Sequence, residues 1–211
     1  MVRGILLACE GIDGSGKSST ARLLTAHLQE QHIPVLLTQE PGATPLGKEL
    51  RNLLHERSVS ISEKSEFLLF AADRAQHMVQ IIEPAIAEGR VVISDRFSDS
   101  SLAYQGYGRG LDKKMIDQIN RWALSDRTPD LTIYMKVDYE TALARIQARN
   151  AQLTSFEKEK KLFFERVITG FDELYAYNPS VITIDATRDL DMVSAQAIES
   201  VMIWLHKQGI A

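Results

Sequence analysis

The stretch Gly11-Ile12-Asp13-Gly14-Ser15-Gly16-Lys17-Ser18 fits the pattern G-x-x-x-x-G-K-[ST] in full. Residues 4–10 before it form a short apolar run that reads as a strand. Residues 18–31 after it have the periodicity of an amphipathic helix. A strand, a glycine-rich turn and a helix in this order make an anion cradle. The glycines let the backbone turn tightly, so several N–H groups point at one centre. The helix presents its positive N-terminal end to the same point. Lys17 adds a mobile charge for β- and γ-phosphates, and the Ser18 hydroxyl suits Mg²⁺. A glycine-rich turn with no ligand would need neither residue. The loop alone does not name a phosphate acceptor, because motors, switches, transporters and kinases all use it.

The rest of the chain continues the alternation. Residues 35–40, 90–95, 131–137 and 181–185 are nearly continuous apolar runs, as expected of strands covered on both faces. Helical patterns fill 45–56, 62–88, 112–125, 138–149, 156–177 and 189–207. This predicts an α/β fold with a parallel sheet wrapped by helices, its ligands bound along the C-terminal edge of the strands. The 62–88 helix is predicted to be capped by Ser62 and closed by Gly89, with a kink near Pro84. Its stripe Phe67, Phe70, Ala71, Arg74, Met78, Ile81 and Ala85 reads as core, except for the pair Phe70 and Arg74. Four residues apart on a helix, these two share a face that suits a flat base with a carbonyl edge. The polar stretch 150–155 reads as a short mobile loop. Asp95 and Arg96 end the third strand, where a carboxylate would face the phosphate loop and could hold Mg²⁺. A guanidinium there can donate twice to a phosphate.

The chain has 211 residues, 45% of them hydrophobic and 25% charged, with a formal net charge of −4. That length suits one domain over 1–211. The charge argues against a surface that wraps nucleic acid. Cys9 is the single cysteine, so an intrachain disulfide and a multi-cysteine zinc site are both excluded. No apolar run approaches the ~20 residues of a membrane span, and no targeting signal is visible. A cytoplasmic location is therefore the expectation. His27, His32, His55, His77 and His206 are scattered and read as ordinary helix or loop residues.

Several segments together resemble the thymidylate kinase family, and more closely its bacterial branch. They are Gly11-x-Asp13-Gly14-x-Gly16-Lys17-Ser18, Glu40-Pro41-Gly42, Leu69-Phe70-Ala71-Ala72-Asp73-Arg74 and Asp95-Arg96-Phe97. The most specific is Asp99-Ser100-Ser101-Leu102-Ala103-Tyr104-Gln105-Gly106, followed by Gly108-Arg109-Gly110. The resemblance runs to about residue 177. It implies a P-loop NTPase three-layer sandwich, a five-stranded parallel sheet with helices on both faces, acting as a homodimer on ATP and dTMP with Mg²⁺. Phe70 would stack on thymine and Arg74 would donate to the base carbonyl. Ser101 and Gln105 would meet the base or sugar edge, and Tyr104 the deoxyribose. Arg51 and Arg96 would hold the dTMP phosphate, Asp13 would lie near the 3′-hydroxyl, and Glu40 belongs to the same acceptor set. Gly11, Ile12, Asp13, Gly14, Ser15, Gly16, Lys17 and Ser18 would hold ATP, with Ser18 and Asp95 toward the metal. Lys17, Arg96, Asp13 and an arginine from a lid near 145–156 would carry the transfer.

Some relatives place that last arginine inside the phosphate loop, where this chain has Gly14. Arg145 and Arg149, at the end of the 138–149 helix, are therefore the candidates to reach ATP, with Arg149 favoured. Three departures from the family pattern stand out. Gln39 replaces an arginine, Ala43 a glycine, and Thr154-Ser155 an acidic–arginine pair. A kinase for another nucleotide or nucleoside, a slow nucleotide-dependent switch, and a member that binds dTMP but transfers poorly remain alternatives.

Overall fold

The computed structural model describes residues 4–56, 59–149 and 152–210. Among them, five strands form one parallel sheet: β1 Ile5–Glu10, β2 Val35–Gln39, β3 Val91–Asp95, β4 Leu131–Lys136 and β5 Val181–Asp185. Their order is β2-β3-β1-β4-β5. Each predicted strand is present, shifted by at most one residue at either end. The chain leaves β1 toward β2 on one side and leaves β3 toward β4 on the other. The adjacent C-terminal ends of β1 and β3 therefore form the crevice where doubly wound sheets bind ligands.

Alternation along the strands builds two cores. Ile5, Leu7, Cys9, Val91 and Ile93 face one side of the sheet. They meet α1 (Lys17–Glu30), α8 (Lys161–Tyr175) and α9 (Leu190–Lys207) through Leu24, Leu28, Val167, Phe171, Val201 and Leu205. Leu6, Ala8 and Val92 face the other side and meet Met78, Ile82, Ala85 and Phe97. Burial on both faces is the reason these strands read as continuous apolar runs rather than alternating ones. Cys9 lies in the first core, fully buried, and burial pushes its thiol well above the ordinary range. No helix among the described residues is long and apolar enough to cross a membrane.

The predicted 62–88 helix divides into α3 (Glu63–His77), a π-helical segment Met78–Ile82, and α4 (Glu83–Ala87). The Ser62 hydroxyl accepts from the Ser65 N–H at 3.2 Å. At the other end Gly89 takes φ +77°. Its N–H donates to Ile86 O, and that of Arg90 to Ala85 O, which closes the helix. The widened turn comes directly before Pro84, which has no N–H to offer the preceding turn. It also puts Ile82, rather than the expected Ile81, on the fully buried face.

Two further differences concern loops. Residues 98–108, not assigned to a helix from sequence, form α5 (Ser98–Ser101) and a π-helical segment Leu102–Gly108. The helix expected from 156 begins at Lys161, because 155–159 make a turn. α2 (Pro45–Glu56), α6 (Lys113–Ala123) and α7 (Tyr139–Ala148) agree with the sequence reading. Asn150 and Ala151 of the expected loop lie outside the described residues.

The second π segment packs along α8 through two glycines. A Cβ on Gly108 would lie 2.6 Å from the Phe163 ring. One on Gly170 would lie 2.7 Å from the Tyr107 ring. Tyr107 cannot easily retreat. Its hydroxyl donates to Glu173 at 2.7 Å, and Lys113 Nζ sits 3.9 Å from its ring centre. Gly→Ala inside a helix normally stabilises by about 1 kcal/mol. Here overpacking, worth about 1–3 kcal/mol, opposes that gain. The net cost of up to about 2 kcal/mol is expected to lower the thermal midpoint of Gly170→Ala by up to about 8 °C. A raised midpoint in a calorimetric scan would show that Tyr107 is free to move.

Candidate active site

The crevice between β1 and β3 opens into a cavity of ≈ 190 Å³. The phosphate loop lies on one wall. Lys17 begins α1 but folds back, its Nζ donating to Ile12 O at 2.7 Å. Burial, and next the charge of Arg96, push its pKa down to about 8. Gly16 and Gly14 both have positive φ, as the tight turn requires. A Cβ on Gly14 would lie 2.4 Å from Ala142 O, so the backbone of α7 occupies the space an in-loop arginine would need. Among the described residues, the buried Ser15 hydroxyl has no hydrogen-bond partner.

Asp95 ends β3 and Arg96 follows it, as expected. The Ser18 hydroxyl donates to Asp95 Oδ2 in close contact. Two hard oxygen donors at one point suit Mg²⁺, which commonly takes one or two protein oxygens and completes its shell with phosphate and water. Among the described residues, no group of three or more His, Cys, Asp or Glu side chains is placed to hold a metal ion. Arg96 sits at φ +76°, a costly conformation for a side-chain-bearing residue. Its N–H donates to Cys9 O at 2.9 Å, tying the ends of β3 and β1 together. The guanidinium donates to Asp13 Oδ1 at 2.7 Å, and to Gly11 O and Ser100 Oγ at 3.1 Å each. Burial raises the Asp13 pKa, but Arg96 and Lys17 outweigh it and hold the carboxyl at about 2.

Beneath this pair lies Glu10, wholly buried at the end of β1. It accepts from the N–H groups of Phe97, at 2.8 Å, and Ser100, at 3.2 Å. Burial and the neighbouring Asp99 push its pKa up to about 7. Tyr104 leans over the crevice, with Arg96 5.0 Å from its ring centre. The Asp13 N–H donates to the Tyr104 hydroxyl at 3.1 Å.

The far wall is built on α3. Phe70 and Arg74 share one face, as their spacing predicts, and both line the cavity. The guanidinium of Arg74 is deeply held. Nε donates to Glu40 Oε2 at 2.8 Å, Nη1 to Asn120 Oδ1 at 2.7 Å and Nη2 to Phe97 O at 3.3 Å. Glu40 also meets His77 Nδ1 at 3.0 Å, and His77 Nε2 lies 2.7 Å from the Thr38 hydroxyl. Burial pushes the Glu40 carboxyl up, but Arg74 and His77 hold it below its ordinary value. His77 is therefore a member of a buried polar network rather than an ordinary helix residue. Ser101, Tyr104 and Gln105 line the same cavity from α5 and the π segment, and Gln105 Nε2 donates to Glu66 at 2.8 Å. Arg51 approaches from α2 and donates to Pro41 O at 2.8 Å.

The predicted arginines of the lid separate. Arg149 lines the cavity and pairs with Glu157. Arg145 turns away. It donates to Ala186 O at 2.7 Å and Arg188 O at 2.8 Å, clamping the loop after β5. Sequence reasoning missed Phe156 and His55. Phe156 sits 5.8 Å from the Phe70 ring and 6.0 Å from that of Tyr104. His55 is 6.5 Å from Phe156, and burial and next Arg51 push its pKa down to about 4, so it is neutral at pH 7. An aromatic residue directly after a polar loop was the only signal for Phe156. Ser155 closes this side, its hydroxyl donating to Leu54 O at 2.7 Å and its N–H to His55 O at 3.1 Å.

Comparison with known proteins gives the family. The family model described as thymidylate kinase matches residues 9–197. Thymidylate kinase of Halothermothrix orenii is 41% identical over 202 residues, covering 95% of this chain and 97% of the relative. That of Gluconobacter oxydans is 40% identical over 211 residues, with 99% of each chain covered. The crystal structure of thymidylate kinase from Ehrlichia chaffeensis superposes with a TM-score of 0.75 at 36% identity, covering 94% of this chain and 98% of that one. The match extends from the end of β1 into α9 and takes in every wall of the crevice, and the chain belongs to the thymidylate kinase family.

Proposed function

We propose that the chain transfers the γ-phosphoryl group of ATP to the phosphate of dTMP, giving dTDP and ADP. The observation that carries this reading is the shared cavity. Lys17 of the phosphate loop and Phe70 with Arg74 of the far wall line one space, so donor and acceptor phosphates can meet in line. The acceptor oxygen belongs to a phosphate with a second pKa of ~6. It is deprotonated at neutral pH, so no general base is needed, and the neutral His55 is no obstacle. Binding, alignment and charge neutralisation suffice.

In this reading the backbone from Gly11 to Ser18 cradles the donor phosphates and Lys17 swings from Ile12 O onto them. Ser18 and Asp95 would hold Mg²⁺, which neutralises phosphate charge when bound. Arg96 and Arg51 receive the acceptor phosphate, and Asp13 orients Arg96. Phe70, Phe156 and Tyr104 enclose the pyrimidine, with Ser101, Gln105 and Arg74 along its polar edge. Arg74 does so from a guanidinium that Glu40 and Asn120 already hold rigid. Arg145 serves ATP indirectly, by shaping the loop after β5. The working unit is a homodimer. The apolar residues Leu68 and Val79 on the 63–82 helix, and Met115 and Trp122 on α6, are all more than half exposed, on helices joined by a small core of Phe67, Ala71 and Ile116.

Release of ADP with dTMP, dUMP, AMP, CMP and thymidine tests the acceptor. The dTMP rate is expected to lead, and equal turnover without any acceptor would favour a hydrolytic switch. Arg149→Ala is expected to lower kcat by about 10²–10³-fold. The KM for dTMP should stay within roughly threefold, since the arginine acts on the moving group rather than on the bound acceptor. Parental kinetics would remove Arg149 from the mechanism. Sedimentation at twice the chain mass is expected for the parent and at the monomer mass for Trp122→Glu. A monomeric parent would overturn the dimer.

A further inference from the structure

Arg109 does not line the cavity, yet it touches two elements that do, α3 and the 155–159 turn. Its Nε and Nη2 donate to the two oxygens of Glu66 on α3, at 3.3 and 3.2 Å. Its Nη1 lies 2.6 Å from Glu159 Oε1 in the 155–159 turn. The guanidinium is 4.6 Å from the Phe163 ring centre and 5.8 Å from that of Phe156. The Glu66 side chain is almost wholly buried, whereas that of Glu159 is about a quarter exposed.

Glu66 also receives the amide nitrogen of Gln105, on the same Oε1 that Arg109 Nε uses. With Arg109 donating twice to this carboxylate, its oxygens act as acceptors. The amide of Gln105 must then point its nitrogen at Glu66, which fixes the orientation it shows to the cavity. One guanidinium thus sets the amide of Gln105, which lines the cavity, and a carboxylate on the turn that carries Phe156, which lines it too. Its planar fork suits this task, since its N–H groups point in fixed directions.

We infer that Arg109 is a positioning residue that latches the 156–159 turn over the acceptor pocket through Glu159, and that the latch excludes water during transfer. The second half of the inference rests on the kinase reading above. The first half stands on the geometry alone.

Glu159 is the place to test it. Arg109→Ala would remove two donors from the buried Glu66 carboxylate and endanger folding. Glu159→Ala cuts the latch at its less buried end and leaves Arg109 paired with Glu66, so no charge is stranded. The thermal midpoint is therefore expected to stay within about 2 °C of the parent. Trypsin cleavage at Lys158 and Lys160 is expected to quicken by about fivefold or more as the turn opens more often. With dTMP and ATP, kcat should fall on the order of tenfold from misplacement of the turn. The share of ATP hydrolysed without phosphorylating dTMP should rise as water enters. Glu159→Gln, which can still accept from Arg109, should recover most of both losses. Parental cleavage in Glu159→Ala would overturn the latch whatever the enzyme acts on. Faster cleavage with an unchanged hydrolysed share would overturn its role in excluding water. A parent inactive on dTMP would instead overturn the kinase reading, and the cleavage rate would still decide the latch.

Discussion

The N–H of Arg96 donating to Cys9 O joins the ends of two neighbouring strands, and the geometry of the crevice follows from it. Strand order brings β1 and β3 together at the point where their connections diverge. The chain leaving β1 becomes the phosphate loop, and the chain leaving β3 becomes the segment that carries Ser100, Ser101 and Tyr104. Arg96 is held in a left-handed backbone conformation between them. Glu10 makes this possible by gripping the N–H groups of Phe97 and Ser100 from below. The strain at Arg96 is offset by its bonds to Cys9 O, Gly11 O, Asp13 and Ser100, among others. The result is a guanidinium aimed at Asp13 and the mouth of the loop.

A second constraint governs the opposite wall. Phe70 and Arg74 sit on a helix from which Arg74 and His77 form a buried polar network with Glu40 and Thr38. Such a network is costly unless every member finds a partner. Glu40 is satisfied by Arg74 and His77, and Arg74 further by Asn120 and the Phe97 carbonyl. The arginine facing the cavity is therefore a rigid group. In the kinase reading, rigidity matters more than reach, because rate depends on holding two phosphates in line.

Much of the sheet and the phosphate loop was legible because they rest on local rules. Period, glycine spacing and strand–helix alternation are properties of neighbouring residues. The acceptor-side residues were legible for a different reason. Their motif pattern matched a known family, and the tertiary structure then gathered Phe70, Arg74, Ser101, Tyr104 and Gln105 around one space. What escaped were groups whose partners are distant in the chain. His77 reads as a helix residue until Glu40 and Thr38, 37 and 39 positions away, arrive beside it. Phe156 and His55 meet only because the 155–159 turn docks on the end of α2. The π-helical turns escaped too, since they arise from Pro84 and from the packing of 102–108 on α8, and a 3.6-residue period cannot register them.

Sequence alone was enough for the fold class, the phosphate cradle and the identity of most side chains around the crevice, because backbone propensity and motif chemistry act over a few residues. Only the tertiary structure separated the two arginines at the C-terminal end of α7, Arg145 within it and Arg149 just after it. They are four positions apart and alike in type, yet Arg149 faces the cavity and Arg145 clamps the carbonyls after β5. The reason is physical. An arginine turns toward whichever acceptors the rest of the fold presents, here Glu157 for one and a stretch of free carbonyls for the other, and those acceptors are placed by contacts far along the chain.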